Sequence, residues 1–191
     1  MKTIFRKNGP QRLLAGLFAA ALLTGSSITS YAWTGLGHRT IVLIAQNHIS
    51  DKTKANISAI MQMPADELYT EASWMDKHRR DKEYKFTGKW HSCSMTPEYV
   101  YDPSIRMTKG GDCVVGLHIV DYNLSHMKEL HLTDSAKVAN IRYLIHIVGD
   151  MHCLCHTAMQ GFHQSKHVMQ VKANGDPVHF HAYYDGILSK L

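Results

Sequence analysis

Several features that would place this chain in other protein classes are missing. The apolar run near its start, Leu13 to Leu23, is too short to span a bilayer comfortably, and no stop-transfer pattern follows it. The chain has little period-two alternation of apolar residues, and it has no internal repeat, low-complexity stretch or linker. These absences argue against a membrane anchor, favour helices over strands and indicate one folded domain.

Residues 1–32 have the three parts of a secretory signal peptide: a basic start, the apolar run, and a small-x-small cleavage site at Ser30 and Ala32. The basic residues are Lys2, Arg6, Lys7 and Arg12. We expect cleavage after Ala32, a secreted or periplasmic location, and no stable membrane association after cleavage. An uncleaved anchor is the alternative. Residues 33–191 then form the folded domain.

The mature chain has almost no net charge but is rich in histidine. The whole chain is formally +5 at pH 7, and removing the four basic residues of the signal peptide from its 21 leaves 17 against 16 acidic residues. Its basicity therefore says little about nucleic-acid affinity, which needs a clustered cationic face. All 14 histidines follow residue 32. This enrichment points to a transition metal, since neutral imidazole binds zinc, copper, iron and nickel.

Four cysteines remain in a chain that we expect to enter an oxidising compartment: Cys93, Cys113, Cys153 and Cys155. One or two disulfides are therefore predicted, and three full pairings are possible. The run from His152 to His156 contains two of these cysteines between two histidines. It also admits a soft metal site, which is the less favoured interpretation.

Apolar spacing of three and four residues predicts an all-α, mostly helical single domain. The predicted helices cover about 41–48, a second helix capped by Ser50, about 65–80, about 112–130, about 134–152 capped by Thr133, and a short helix near 179–190. Residues 84–111 contain scattered glycines and prolines and are predicted to be a loop that reaches the core.

Acids and imidazoles lie one helical turn apart in the C-terminal part of the chain. His146 and Asp150 share one face of an otherwise apolar helix, where a bare carboxylate is unfavourable, and His181 and Asp185 repeat the spacing. A bound metal would compensate the desolvation of such groups, so we predict a metal role for His146 and Asp150. Five other histidines are expected at the surface or the edge of the core: His48, His78, His118, His126 and His131.

A set of short motifs is distributed over residues 33–191. In order they are Trp33, Gly37-His38, Ala72-Ser73-Trp74-Met75-Asp76-x-x-Arg79, Trp90-His91, Cys113-Val114-Val115, His146-x-x-x-Asp150-x-His152-x-x-x-His156 and His181-x-x-x-Asp185. This order and spacing resemble the zinc-dependent S1/P1 nucleases of fungi. The resemblance implies a mostly helical domain with three zinc ions in a cleft, a fold that zinc phospholipase C shares.

The resemblance also implies a ligand set. Asp76, His91, His146 and Asp150 would hold the first zinc, His156, His181 and Asp185 the second, and Trp33, His38 and Asp150 the third. Trp33 would contribute its free amine and its carbonyl oxygen, a chelate that exists only after signal cleavage. Asp150 would bridge two ions.

The reaction that the resemblance implies is hydrolysis of single-stranded RNA or DNA to 5′-phosphorylated products, together with removal of 3′ phosphates from nucleotides. Paired zinc ions suit this chemistry because they polarise phosphoryl oxygens and lower the pKa of bound water. Asp76, Arg79 and Asp150 are the implied catalytic residues. Arg79 would neutralise charge on the phosphoryl group; a solvated helix end is its alternative. We expect a monomer.

Three departures from the family pattern keep other functions open. Ser92 follows His91 where a bulky base-stacking residue is expected, the segment between His152 and His156 lacks the family's Pro-Leu, and the chain ends soon after Asp185, which predicts a shortened C-terminal part. Candidate replacements for base stacking are Tyr84, Phe86, Tyr99 and Tyr101. The alternatives are a lipid phosphodiesterase like zinc phospholipase C, whose second zinc normally has a glutamate ligand, and a degenerate zinc-binding relative without turnover.

Overall fold

The computed structural model describes residues 35–106, 111–159, 170–173, 176–180 and 183. Within these ranges the chain is mostly helical, which confirms the predicted all-α class. The helices include α1 (Gly35–Gln46), α2 (Asp51–Met61), α3 (Trp74–His78), α4 (Cys113–Ser125) and α5 (Asp134–Met151). The same ranges contain the 3₁₀ segments Ala65–Glu71, Lys85–Lys89 and Pro103–Ile105.

Two helices begin at the side-chain caps that the sequence predicts. Ser50 Oγ accepts a hydrogen bond from the Thr53 amide at 3.2 Å, and Thr133 Oγ1 accepts one from the Ala136 amide at 3.2 Å. Each bond satisfies an amide that the first turn of a helix leaves without a partner. The short helix predicted near 179–190 lies mostly outside the described residues.

The prediction of one continuous helix over about 65–80 is wrong, because the structure divides this range into two segments. Ala65–Glu71 is a 3₁₀ segment, and α3 begins only at Trp74. At the break, the Ala72 amide donates to the Tyr69 carbonyl at 3.3 Å, and the Ala72 carbonyl accepts a hydrogen bond from His146 Nδ1 at 2.8 Å. His146, which is far away in sequence, therefore hydrogen bonds to the backbone at the point where the two segments meet.

Helix α5 contributes to both hydrophobic clusters of the described residues. Its Ile141 packs with residues of α1, α2 and the first 3₁₀ segment, while its Tyr143 and Ile147 pack with residues of α3 and α4 and with Trp90. Burial on two sides explains why the helix is so apolar. A polar side chain on its buried surface must consequently find a partner inside the protein.

Two short strand pairs complete the described part of the fold. β1 (Cys93–Met95), in the segment predicted as loop, pairs in parallel with β2 (Thr157–Met159), and β3 (Gln170–Ala173) pairs antiparallel with β4 (Asp176–His179). The Cys93 amide donates to the His156 carbonyl at 2.8 Å, so β1 and β2 hold His91 and His156 close together. None of the described helices is long and apolar enough to cross a membrane.

Candidate metal centre

The centre is built on α5. His146 and Asp150 have no exposed surface, and His146 Nε2 lies 3.4 Å from Asp150 Oδ2. The hydrogen bond from His146 Nδ1 to the Ala72 carbonyl at 2.8 Å assigns the ring proton to Nδ1. It thereby leaves Nε2, the nitrogen that faces Asp150, as the available ligand atom.

Asp76 and His91 reach the same point from two other elements. Asp76 lies on α3, and His91 follows the 3₁₀ segment Lys85–Lys89. His91 Nδ1 is 2.9 Å from Asp150 Oδ2 and 3.7 Å from Asp76 Oδ1. His146 Nε2 is 3.8 Å from the same Asp76 oxygen. The structure therefore brings together all four residues predicted for the first zinc.

His38 comes from α1 and completes a second side of the centre. Its Nε2 lies 3.4 Å from Asp150 Oδ1, and its ring stacks on His146 with the centroids 4.0 Å apart. Gly149 permits this approach, since a Cβ at that position would collide with His38 Nδ1. A glycine is therefore required next to Asp150 for a steric reason rather than for backbone conformation.

His156 directly precedes β2 and approaches Asp150 from the segment that follows α5. Its Nδ1 donates a hydrogen bond to the His91 carbonyl at 2.6 Å and lies 3.5 Å from Asp150 Oδ1. Asp150 consequently has four imidazoles around its two oxygens, those of His38, His91, His146 and His156.

The donor set fits a transition metal. Within the described part of the chain, five buried atoms of these residues make no hydrogen bond: His38 Nδ1 and Nε2, His91 Nε2, Asp76 Oδ1 and Asp150 Oδ1. Buried polar atoms normally have partners, so these atoms are suited to bind an ion. Two triads have ligand atoms within 4.8 Å of one another, namely His38, His146 and Asp150, and Asp76, His91 and His146. Imidazole nitrogens and carboxylate oxygens are donors that Zn²⁺ prefers.

The protonation states also favour metal binding. Burial lowers the pKa of His146 to about 3, although the charge of Asp150 opposes the change. Burial raises the pKa of Asp150, but the surrounding imidazoles, led by His146, outweigh it and bring the pKa below its usual value. For Asp76, burial raises the pKa, and repulsion by Asp150 adds to the effect. A neutral His146 and an ionised Asp150 are the forms that coordinate metal.

Arg79 lies at the edge of the centre, one residue beyond α3. Its Nη1 is 3.7 Å from Asp76 Oδ1, and its side chain is 24% exposed. The guanidinium thus contacts a carboxylate of the centre while remaining accessible to an anion. A wholly solvated helix end does not describe this position.

Of the loop aromatics considered for base stacking, Tyr84 and Tyr101 are packing residues, whereas Phe86 is 52% exposed although it contacts Trp90. Tyr84 packs edge-on against Trp74 at 4.8 Å, Phe86 packs edge-on against Trp90 at 5.2 Å, and the Tyr101 hydroxyl donates to Asp112 Oδ2 at 2.9 Å. Tyr99 is 60% exposed.

Among the described residues, the cysteines are not part of a group that could hold a metal. All four are buried, no disulfide joins them, and the groups of described residues that could hold a metal contain no cysteine. The Cys93 and Cys113 thiols hydrogen bond to each other, which lowers the pKa of Cys93 and raises that of Cys113.

Three of the predicted ligands, Trp33, His181 and Asp185, lie outside the described residues. The structure adds groups that the sequence reasoning missed: Gly149, and the carbonyls of Ala72 and His91 that orient two imidazoles. Gly149 carried a readable signal, since it stands beside Asp150 in an apolar helix where alanine would be the better helix former. The two carbonyls carry no signal in the sequence.

A comparison with protein families matches residues 33–190 to the family described as S1/P1 Nuclease. The matched segment begins at the residue where we expect the mature chain to begin. No curated protein matches the sequence.

Proposed function

Because the chain belongs to the S1/P1 nuclease family, we propose that it is a zinc-dependent phosphodiesterase that cleaves single-stranded RNA or DNA to 5′-phosphorylated products and removes 3′ phosphates from nucleotides. The observation that carries this proposal is the convergence of six buried groups on one point. They are His38, Asp76, His91, His146, Asp150 and His156.

Three zinc ions would be held as the family resemblance assigns them. Asp76, His91, His146 and Asp150 would bind the first ion, His156 with His181 and Asp185 the second, and His38 and Asp150 with the main chain of Trp33 the third. Bound zinc supplies Lewis acidity, which polarises phosphoryl oxygens and lowers the pKa of coordinated water.

The protein's own groups bind and orient the substrate. Asp150 stays ionised at the middle of the imidazoles and would offer its carboxylate oxygens to the ions. Asp76 contacts both His91 and Arg79, so it links the metal centre to a guanidinium. Arg79 would bind a non-bridging phosphoryl oxygen and offset the charge that develops as the 3′ oxygen departs, for which a planar guanidinium is suited.

Export is part of the proposal. Cleavage after Ala32 would free the Trp33 amine, and the family match starts at that residue. In an oxidising compartment Cys93 and Cys113 are one pair placed to join, because their thiols are in contact and the Cys113 amide donates to the Ser92 carbonyl at 3.1 Å. The two thiol protons and two electrons would pass to a thiol-disulfide oxidoreductase.

The test uses the exported protein and one matched pair of variants. Intact mass should show a chain that begins at Trp33 and has lost two hydrogens, and metal analysis should show three zinc ions. The protein should hydrolyse single-stranded RNA or DNA and not phosphatidylcholine. Asp150→Asn should lower kcat/KM by about 10²-fold or more, whereas Asp121→Asn, which changes an exposed aspartate on α4, should leave it unchanged.

Each alternative predicts a different result. Three zinc ions with no hydrolysis of any phosphodiester would indicate the degenerate relative, and hydrolysis of the lipid alone would indicate the phospholipase. Undiminished cleavage by Asp150→Asn would overturn the mechanism. An extra residue before Trp33 should weaken zinc binding while correctly processed Trp33→Phe should not, because the proposed chelate uses only the main chain.

A further inference from the structure

A loop between two residues of the metal centre carries six of the 17 basic residues of the mature chain. Asp76 and His91 approach to 3.7 Å between Oδ1 and Nδ1, so the intervening chain leaves the centre and returns to it. We call residues 77–89 the basic loop. It contains six basic residues against two acidic ones, the basic residues being Lys77, Arg79, Arg80, Lys82, Lys85 and Lys89.

The rest of the mature chain has the opposite balance. Of its 17 basic and 16 acidic residues, 11 basic and 14 acidic residues lie outside the basic loop. The mature chain is therefore nearly neutral because a cationic segment offsets the slight excess of acidic residues in the rest of it. A cationic patch of this kind attracts polyanions over about 8–10 Å at physiological ionic strength.

The basic loop is folded so that its charges face solvent. Successive hydrogen-bonded turns run through it, including Tyr84 N to Asp81 O at 3.0 Å and Thr87 N to Tyr84 O at 2.9 Å. Tyr84 packs on Trp74 and Thr87 is fully buried. The exposed basic residues are Lys77, Arg80, Lys82, Lys85 and Lys89.

One of the two acids in the basic loop is engaged locally. Asp81 Oδ2 lies 2.7 Å from His78 Nδ1, and the His78 ring stacks on Trp74 at 4.2 Å. The Asp81 carboxylate thus contacts His78, a neighbour within the loop, and not a lysine of the loop. The lysines keep their charges available to a ligand.

We propose that the basic loop binds the phosphodiester backbone that flanks the scissile bond, so that it makes the enzyme prefer single-stranded polynucleotides over small phosphodiesters. This inference rests on the proposed function, because it assumes that the metal centre cleaves nucleic acid. The residues that flank the basic loop, Asp76 and His91, belong to the centre, so a phosphate chain bound at the centre would lie near the loop. Each lysine-phosphate contact adds an electrostatic, sequence-independent contribution by releasing a counterion.

The test compares two triple variants with equal loss of charge. Lys82→Gln/Lys85→Gln/Lys89→Gln removes three charges of the basic loop, and Lys52→Gln/Lys54→Gln/Lys128→Gln removes three from α2 and the segment after α4. We would measure kcat/KM for a single-stranded oligonucleotide and for a dinucleoside monophosphate. Binding of a fluorescent phosphorothioate oligonucleotide, which resists hydrolysis, would be followed over a range of salt concentrations.

We expect the loop variant to lose about tenfold or more in kcat/KM for the oligonucleotide and little for the dinucleoside monophosphate. The slope of log binding constant against log salt concentration should become shallower by about 2. Each lost phosphate contact to a single strand reduces the magnitude of this slope by about 0.7. Equal behaviour of the two triple variants, or an equal loss on both substrates, would overturn the inference. If the unmodified protein cleaves neither substrate, the proposed function fails, and the binding comparison still decides the role of the loop.

Discussion

At the scale of single residues, Gly149 shows how the centre constrains the sequence. Alanine would favour α5 by about 1 kcal/mol if helix propensity alone decided. Its Cβ would, however, collide with the His38 ring, which stacks on His146 at 4.0 Å and lies 3.4 Å from Asp150. We therefore predict that Gly149→Ala displaces His38 and lowers zinc affinity by about 10–100-fold, as measured by titration against a competing chelator.

Gly88 provides the matched control for this change. A Cβ at Gly88 meets nothing within 4 Å, so Gly88→Ala should bind zinc as the unmodified protein does. Unchanged zinc affinity of Gly149→Ala would show that His38 is not a ligand. A loss in both variants would indicate a general effect on folding.

At the scale of secondary-structure elements, the sequence predicts what local contacts determine. The starts of α2 and α5 follow from Ser50 and Thr133, whose hydroxyls bond to amides three residues ahead. The break at Ala72 and the strand β1 do not follow, because they depend on His146 and on β2, both far away in sequence. Spacing alone placed His146 and Asp150 on one face, whereas the approach of His38 and His91 was expected only from the family resemblance.

Asp112 determines where α4 begins and ties it to the preceding segment. Its buried carboxylate accepts from the Val115 amide at 3.0 Å and from the Tyr101 hydroxyl at 2.9 Å, and it lies 3.3 Å from Arg106 Nε. Asp112→Ala removes the cap and takes the acceptor from the Val115 amide and the Tyr101 hydroxyl, whereas Arg106 Nε still donates to the Tyr101 hydroxyl at 3.0 Å. We predict a loss of about 2–4 kcal/mol in the free energy of unfolding, measured by urea denaturation.

Asp112→Asn distinguishes the contribution of the cap to stability from the contribution of the negative charge. Asparagine keeps an oxygen that can accept from Val115, so most of the stability should remain and only the charge-assisted contact with Arg106 should be lost. Equal destabilisation by alanine and asparagine would mean that the ionic contact, not the cap, fixes the start of α4.

At the scale of the whole molecule, the metal centre links parts of the chain that are far apart in sequence and that otherwise meet through hydrophobic packing. Its described residues come from α1, α3, α5 and the segments before β1 and β2. Metal binding should therefore stabilise the complete fold rather than one element, and zinc at about 100 times its Kd should add about 2.7 kcal/mol. Removal of zinc exposes the intrinsic titration of the buried groups.

That titration gives the pH dependence of the metal-free protein a definite sign. The pKa of His146 is lowered by burial from 6.5 to about 3, so between these values the unfolded chain binds a proton that the folded chain does not. Stability must then fall as the pH falls from 6.5 towards 3. The pKa of Asp150 is also lowered, so its protonation destabilises the folded protein further near and below pH 3.8. The raised pKa of Asp76 has the opposite effect on stability above pH 3.8.

Thermal melting of the chelator-treated protein should show Tm decreasing over this range. His146→Asn should remove most of the decrease above pH 4, whereas His118→Asn, at an exposed position on α4, should preserve it. A Tm that stays constant or rises on acidification would contradict a neutral, buried His146 at the middle of the centre.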